Sequence, residues 1–267
     1  MLLLILAATI PRTHAQTGEI ENLFSDFEAS AAAGKHRDVA EADPALQRIA
    51  QASSQRITEM LPVIIHETSS PQLSSRRLAA AVLYAITTRP DGQSLLSAET
   101  ATFKALLVDP DIPIRRITML AVYTLRPNAS SPIVPVLKTY LEREDAVSTI
   151  GPAVATVLMQ AAPNDEESTN TVVQYMRRQD QTSASRYVLL DAIVNVAKSH
   201  NREIGKEVVS YADDPSEQTS VRAIGTLQAM GQSVILDSQQ SLSRIAADPK
   251  RAPSVRAAAT KALTAIQ

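Results

Sequence analysis

An Asp-Pro corner followed by an aliphatic-Arg pair occurs three times in this chain, and nothing else in it restricts the possible folds so strongly. Asp109-Pro110 leads to Ile114-Arg115, Asp214-Pro215 to Val221-Arg222, and Asp248-Pro249 to Val255-Arg256. Each corner ends one helical stretch and each pair opens another. A supersecondary unit copied at a fixed interval builds a stack in which each copy buries its apolar face on the next.

Aligned on the arginine of the pair, Arg76, Arg115, Arg186, Arg222 and Arg256 fall into register, with separations of 39, 71, 36 and 34 residues. The long gap holds two periods, and its missing member falls near Ile150-Gly151-Pro152, where glycine stands in place of arginine. Aliphatic helical text follows each pair. Second helices are expected near 97–108, 131–144, 166–178, 202–212 and 233–247. Pro62 and Pro135 lie 73 residues apart in matching contexts, which marks Ala45 to Glu67 as an earlier, degenerate helix pair. The hydrophobic 45% of the chain is mainly Ala, Leu, Ile and Val, with no Trp and three Phe, so helices can approach closely along a thin core. The fold class expected is all-α, an α-solenoid of antiparallel helix pairs.

These residues resemble HEAT repeats, especially the short bacterial kind named for phycobilisome lyases. The resemblance covers about Ala45 to the C-terminus. It implies that the corner Asp and the following Arg form a ladder between adjacent units, with Asp109 and Arg115, six residues apart, as the compact instance. Asp214–Arg222 and Asp248–Arg256 are eight apart. Arg76 and Arg186 belong to the same row. A row of arginines at fixed register is alternatively a surface for an anionic partner. Repeats of this kind serve as adaptors and scaffolds and, less often, as enzymes, so the fold alone does not give the function.

The N-terminus reads as a secretory signal. Leu2 to Ile10 is apolar, Pro11 breaks the run, and Thr13-His14-Ala15 approximates a small-x-small cleavage pattern before Gln16. The run is too short for a stable membrane anchor. It lacks the usual preceding Lys or Arg, and an N-terminal solenoid helix is the alternative. The domains expected are therefore a signal peptide at 1–15, an N-terminal helical cap at 16–43 and a repeat array at 44–267. Within the cap, Ile20, Leu23, Phe24 and Phe27 share one helical face. The chain is expected in the periplasm or outside the cell, cleaved after Ala15.

The chemistry-bearing residues are sparse. The absence of cysteine excludes disulfides, thiolate metal sites and a Cys nucleophile. The four histidines have no metal-ligand spacing, and the seven glycines form no phosphate loop. A formal charge of −2 and a pI near 6.1 give no global attraction to nucleic acid. No cofactor is expected. The function expected is a non-catalytic, monomeric interaction scaffold that takes a protein or peptide on the concave face formed by the second helices. A lyase-like HEAT-repeat enzyme, or its accessory subunit, is the alternative. On the second helices Tyr140, Tyr175 and Tyr211 repeat at 35 and 36 residues, with Lys138, Arg177 and Arg178 beside them. That row is either a Tyr-Arg binding surface or, because Val136, Val172 and Val208 precede the tyrosines at helical spacing, part of the core.

Overall fold

The computed structural model describes residues 46, 49, 51–143, 150–178, 181–196 and 202–266. The expected signal peptide and cap, 1–15 and 16–43, lie outside the described residues. All fourteen helices of the described residues are α-helices, and the contacts divide the chain into two compact units, Met1–Thr102 and Phe103–Gln267.

The first unit holds α1 (Ser54–Glu67), α2 (Leu73–Thr87) and α3 (Gly92–Leu96). Ser53 caps α1 by accepting a hydrogen bond from the Arg56 amide, which satisfies one of the amides a helix start leaves unpaired. Ile57, Met60, Leu61 and Ile64 then line one face at helical spacing, and α2 packs against it. Pro62 sits inside α1, whereas Pro135 lies in the first turn of its helix. Their matching sequence contexts therefore do not mark equivalent positions. Gly92 is fixed by space: a Cβ there would stand 2.3 Å from the Ile86 carbonyl oxygen. The unit boundary falls within α4 (Thr100–Leu107).

The second unit continues with α5 (Ile112–Leu125), α6 (Val134–Glu142), α7 (Ile150–Ala161), α8 (Glu166–Met176), α9 (Ser183–Val196) and α10 (Arg202–Tyr211). It ends with α11 (Glu217–Met230), α12 (Gln232–Asp237), α13 (Gln239–Ala247) and α14 (Pro253–Thr264). First helices pack on first helices, in the order α5, α7, α9, α11, α14. Second helices pack on second helices, in the order α6, α8, α10, α12. Two helical layers result, with the core between them, as the period near 35 requires.

Starts and stops follow capping chemistry. Asp111, Asp165 and Ser216 each accept a backbone N–H from three residues ahead, opening α5, α8 and α11. Arg126 closes α5 in the left-handed conformation at φ 48°. The second helix expected at 233–247 is two helices, broken at Ser238. That side chain is buried, and its hydroxyl donates to the Val234 carbonyl oxygen at 2.7 Å, an alternative to regular backbone pairing.

Candidate functional site

The second helices place the tyrosine row in the core. On α6, α8 and α10 the aliphatic stripe includes Leu137, Val172 and Val208, and the tyrosines continue that stripe three residues on. Tyr140, Tyr175 and Tyr211 are 1%, 1% and 3% exposed. Side chains so enclosed offer a partner no ring surface, so the core alternative describes them. The Tyr211 hydroxyl donates to the Met176 carbonyl oxygen at 2.7 Å, with the Gln181 side-chain oxygen also near at 3.0 Å. Burial raises the Tyr211 pKa, and the opposing charge of Arg186 only partly offsets it.

The cations beside the tyrosines join one unit to the next. Lys138 of α6 donates to Asp165 at 2.9 Å and to Glu167 at 2.6 Å. The bond to Glu167 raises the Lys138 pKa, against burial and with help from Asp165. Asp165, which also caps α8, is held down to about 2, first by the Ser168 hydroxyl and then by Lys138. Arg177 forms a two-pronged bond to Glu207 of α10, at 2.8 and 2.7 Å. Arg178 reaches back one period to the Arg143 carbonyl oxygen at 2.7 Å. These bonds occupy the charges that sequence reasoning gave to a partner.

The arginine row is differentiated in the same way. Arg115 donates to the main-chain carbonyls of Asp109, at 2.8 Å, and Pro110, at 3.3 Å, while the Asp109 carboxylate accepts the Asp111 amide at 2.8 Å. Arg76 repeats this toward the carbonyls of Ser70 and Pro71, at 3.0 and 3.4 Å. In the unit after Asp214 the donor six residues on is Ser220, whose hydroxyl reaches the Asp214 carbonyl at 2.8 Å. Arg222 therefore does not occupy the position of Arg115. It is the sixth residue of its helix where Arg115 is the fourth, and it pairs with Asp191 of α9 instead of Asp214. Arg256 likewise makes no bond to Asp248, whose carboxylate accepts the Lys250 amide at 2.9 Å.

An Asp–Arg bond between successive helix pairs does occur at Asp214, with the arginine of the preceding pair. Arg186 donates to its carboxylate at 2.8 Å, joined by the Ser183 hydroxyl at 2.7 Å and the Ser216 amide at 2.9 Å. Burial pushes the Asp214 pKa up, but the Ser183, Ser216 and Arg186 bonds outweigh it and the net shift is downward. The Arg186 guanidinium also lies 5.2 Å from the Tyr211 ring centre.

Among the described residues of the second unit, two grooves stand out. The larger, about 790 Å³, lies on the second-helix face. It is lined by Leu141 and Glu142 of α6, by Asp165, Glu166 and Glu167 at the start of α8, and by Asn170, Gln174 and Arg178, while the enclosed Tyr175 borders it with almost no open surface. Asn170 and Gln174 are exposed one turn apart, and among the described residues neither carboxamide has a hydrogen-bond partner. Of the residues singled out from sequence, Tyr175 and Arg178 line this groove, while Tyr140, Tyr211, Lys138 and Arg177 do not.

The smaller groove, about 380 Å³, lies among the first helices α5, α7 and α9. Ten of the twelve residues of α7 are buried, so that helix is recessed. Of its three groove-lining residues, Ile150 is large and Ala153 and Thr156 are short, and the exposed Leu120 and Tyr123 of α5 and Val188 of α9 lie beside them. Sequence reasoning missed this groove, although the clue was present in the unit where Gly151 interrupted the arginine register. Among the described residues no three His, Cys, Asp or Glu side chains are grouped to hold a metal ion, and no helix is long and apolar enough to cross a membrane.

No family model and no curated protein matches the sequence. Solved structures do. A computationally designed armadillo repeat protein for modular peptide recognition aligns over 78% of this chain and 100% of its own, at 17% identity and a TM-score of 0.51. An engineered protein aligns over 83% of this chain, at 18% identity and a TM-score of 0.50; the chain spans 62% of its length. At such identities the likeness is one of fold. The chain is a helical repeat protein, an α-solenoid of stacked helix pairs.

Proposed function

We propose that this chain is an exported, non-catalytic scaffold that holds a protein or peptide segment in the groove on its second-helix face. The observation that carries the reading is the pair of free carboxamides, Asn170 and Gln174, on the wall of a groove of about 790 Å³. A carboxamide both donates and accepts, which matches the alternating N–H and C=O groups of an extended backbone. Two of them one helical turn apart can grip a passing segment without reading its side chains. The designed armadillo protein of similar fold was built for peptide recognition, which is consistent with this use of the architecture. The short bacterial HEAT repeat is the family we assign, on the Asp-Pro corners and the arginines that follow them.

The test is affinity capture from the native envelope or secreted fraction, with the wild-type chain and with Asn170→Ala/Gln174→Ala. Both substituted positions are exposed, so the fold should be retained. Partners captured by the wild type and lost from the double variant are expected. Capture unchanged by the double variant refutes the groove. Export is checked separately by sequencing the N-terminus of the native product, expected to begin at Gln16; a cytoplasmic product retaining Met1 to Ala15 refutes it.

A further inference from the structure

The first-helix groove is separate from the one just assigned, and its character is different. Its walls carry large apolar side chains left open to water: Leu120 is 42% exposed, Tyr123 46% and Val188 45%. Isolated exposed apolar residues are ordinary, but several rimming one depression mark an interaction surface. The depression follows α7, which is largely buried and contributes Ile150 at its start and the short Ala153 and Thr156 further along.

We propose that this groove docks an amphipathic helix of a protein partner, one with aliphatic anchors on its inner face and carboxylates on its flank. Two features select that occupant. The lining helices already use their backbone hydrogen bonds internally, and the Thr156 hydroxyl is turned onto the Pro152 carbonyl at 2.8 Å. An extended segment laid here would lose water from its N–H and C=O groups without finding partners, which is costly. A helix arrives with those groups satisfied, and helices settle into the trough between neighbouring helices at axial spacings of about 8–10 Å. Charge supplies the second feature. Arg116 lines the groove on α5, is exposed, and among the described residues pairs with no carboxylate. On the opposite wall Asp191 is neutralised by Arg222. The rim therefore presents one uncompensated positive charge, complementary to an acidic flank.

The experiment is a display library of helix-forming 18-residue peptides with two leucines fixed four residues apart and the flanking positions randomised. It is selected on the full chain and then counter-screened on Leu120→Lys and Val188→Lys. Enriched peptides should be rich in Glu and Asp, should lose at least tenfold in affinity on either variant and on Ala153→Leu, which fills the floor, and should weaken several-fold on Arg116→Glu. Replacing their carboxylates by lysine should recover binding to Arg116→Glu. All substituted positions except Ala153 are exposed, and an unchanged melting curve verifies the fold of each variant. The proposal is overturned by no enrichment, by enriched peptides that tolerate a central proline, or by self-association of the chain that Leu120→Lys abolishes. Peptides insensitive to these variants but lost from Asn170→Ala/Gln174→Ala overturn it too, while leaving the second-helix groove intact.

Discussion

Removing the Asp214 carboxylate tests whether successive helix pairs of the second unit are joined as described. Its side chain is fully enclosed, at 0% exposure, and accepts three hydrogen bonds, whereas Arg186 keeps 24% of its side-chain surface in water. Breaking a buried ion pair costs about 3–5 kcal/mol. Partial hydration of Arg186 places Asp214→Ala near the lower end, at about 3 kcal/mol. Arg186→Ala leaves the carboxylate two neutral donors, so it loses about 1.5–3 kcal/mol for the charged bond. The contact with the Tyr211 ring adds about 0.5–1 kcal/mol. Because both changes remove the same bond, the double variant should fall short of additivity by about 1.5–3 kcal/mol. Urea unfolding followed by far-UV circular dichroism, with hydrogen exchange of α9 and α11, measures this. The pH dependence gives an independent sign. The Asp214 pKa is lowered in the folded protein, so its contribution is complete above the unfolded carboxylate value of about 3.9 and is lost as pH falls through the folded value. The stability gap between wild type and Asp214→Ala should therefore be constant near neutrality and close in acid. Additive losses, or a gap that persists once the carboxylate is protonated, would refute the reasoning.

Two glycines make an opposed pair. A Cβ at Gly205 would lie 2.7 Å from Val234 Cγ1, so Gly205→Ala should lower the melting temperature by the equivalent of about 1–3 kcal/mol of overpacking. Gly225 is exposed within α11 and has nothing within 4 Å of that position, so Gly225→Ala should raise stability by about 0.5–1 kcal/mol, and equal effects at the two sites would show the space is misjudged. Tyr211→Phe removes the buried hydroxyl from the Met176 carbonyl and should cost about 1–3 kcal/mol in a thermal melt; an unchanged melt would mean water replaces the bond.

The period near 35 was legible because a helix pair needs that length, and because Asp, Pro and Ser announce corners by their backbone chemistry. Register within a unit was less legible. Arg222 and Arg115 share a neighbouring aliphatic residue, but at the Ser70, Asp109 and Asp214 corners the carbonyl is met by the donor six residues on, and after Asp214 that donor is a serine. Residue type was the wrong key there, and distance from the corner the right one. The tyrosines left two readings open because a phenol suits both a core and a surface, and only packing distinguishes them. The bonds of the cations beside them were not legible for a related reason: their carboxylate and carbonyl partners lie 27 to 35 residues away in sequence. The first-helix groove depends on what α7 lacks, and short side chains give no positive signal until their neighbours are in place.

The bonds set one period apart also determine how the second unit should respond to force. Arg178 holds the Arg143 carbonyl and Tyr211 the Met176 carbonyl, each across 35 residues. Each clasp joins a helix pair only to the one before it, so tension applied at the C-terminus loads these clasps in series. Extension should then proceed as a staircase, with pairs peeling away singly and each releasing roughly 120 Å of slack chain. A protein built this way can lengthen under load and rewind when the load is removed, giving up its far pairs while the near ones keep their shape.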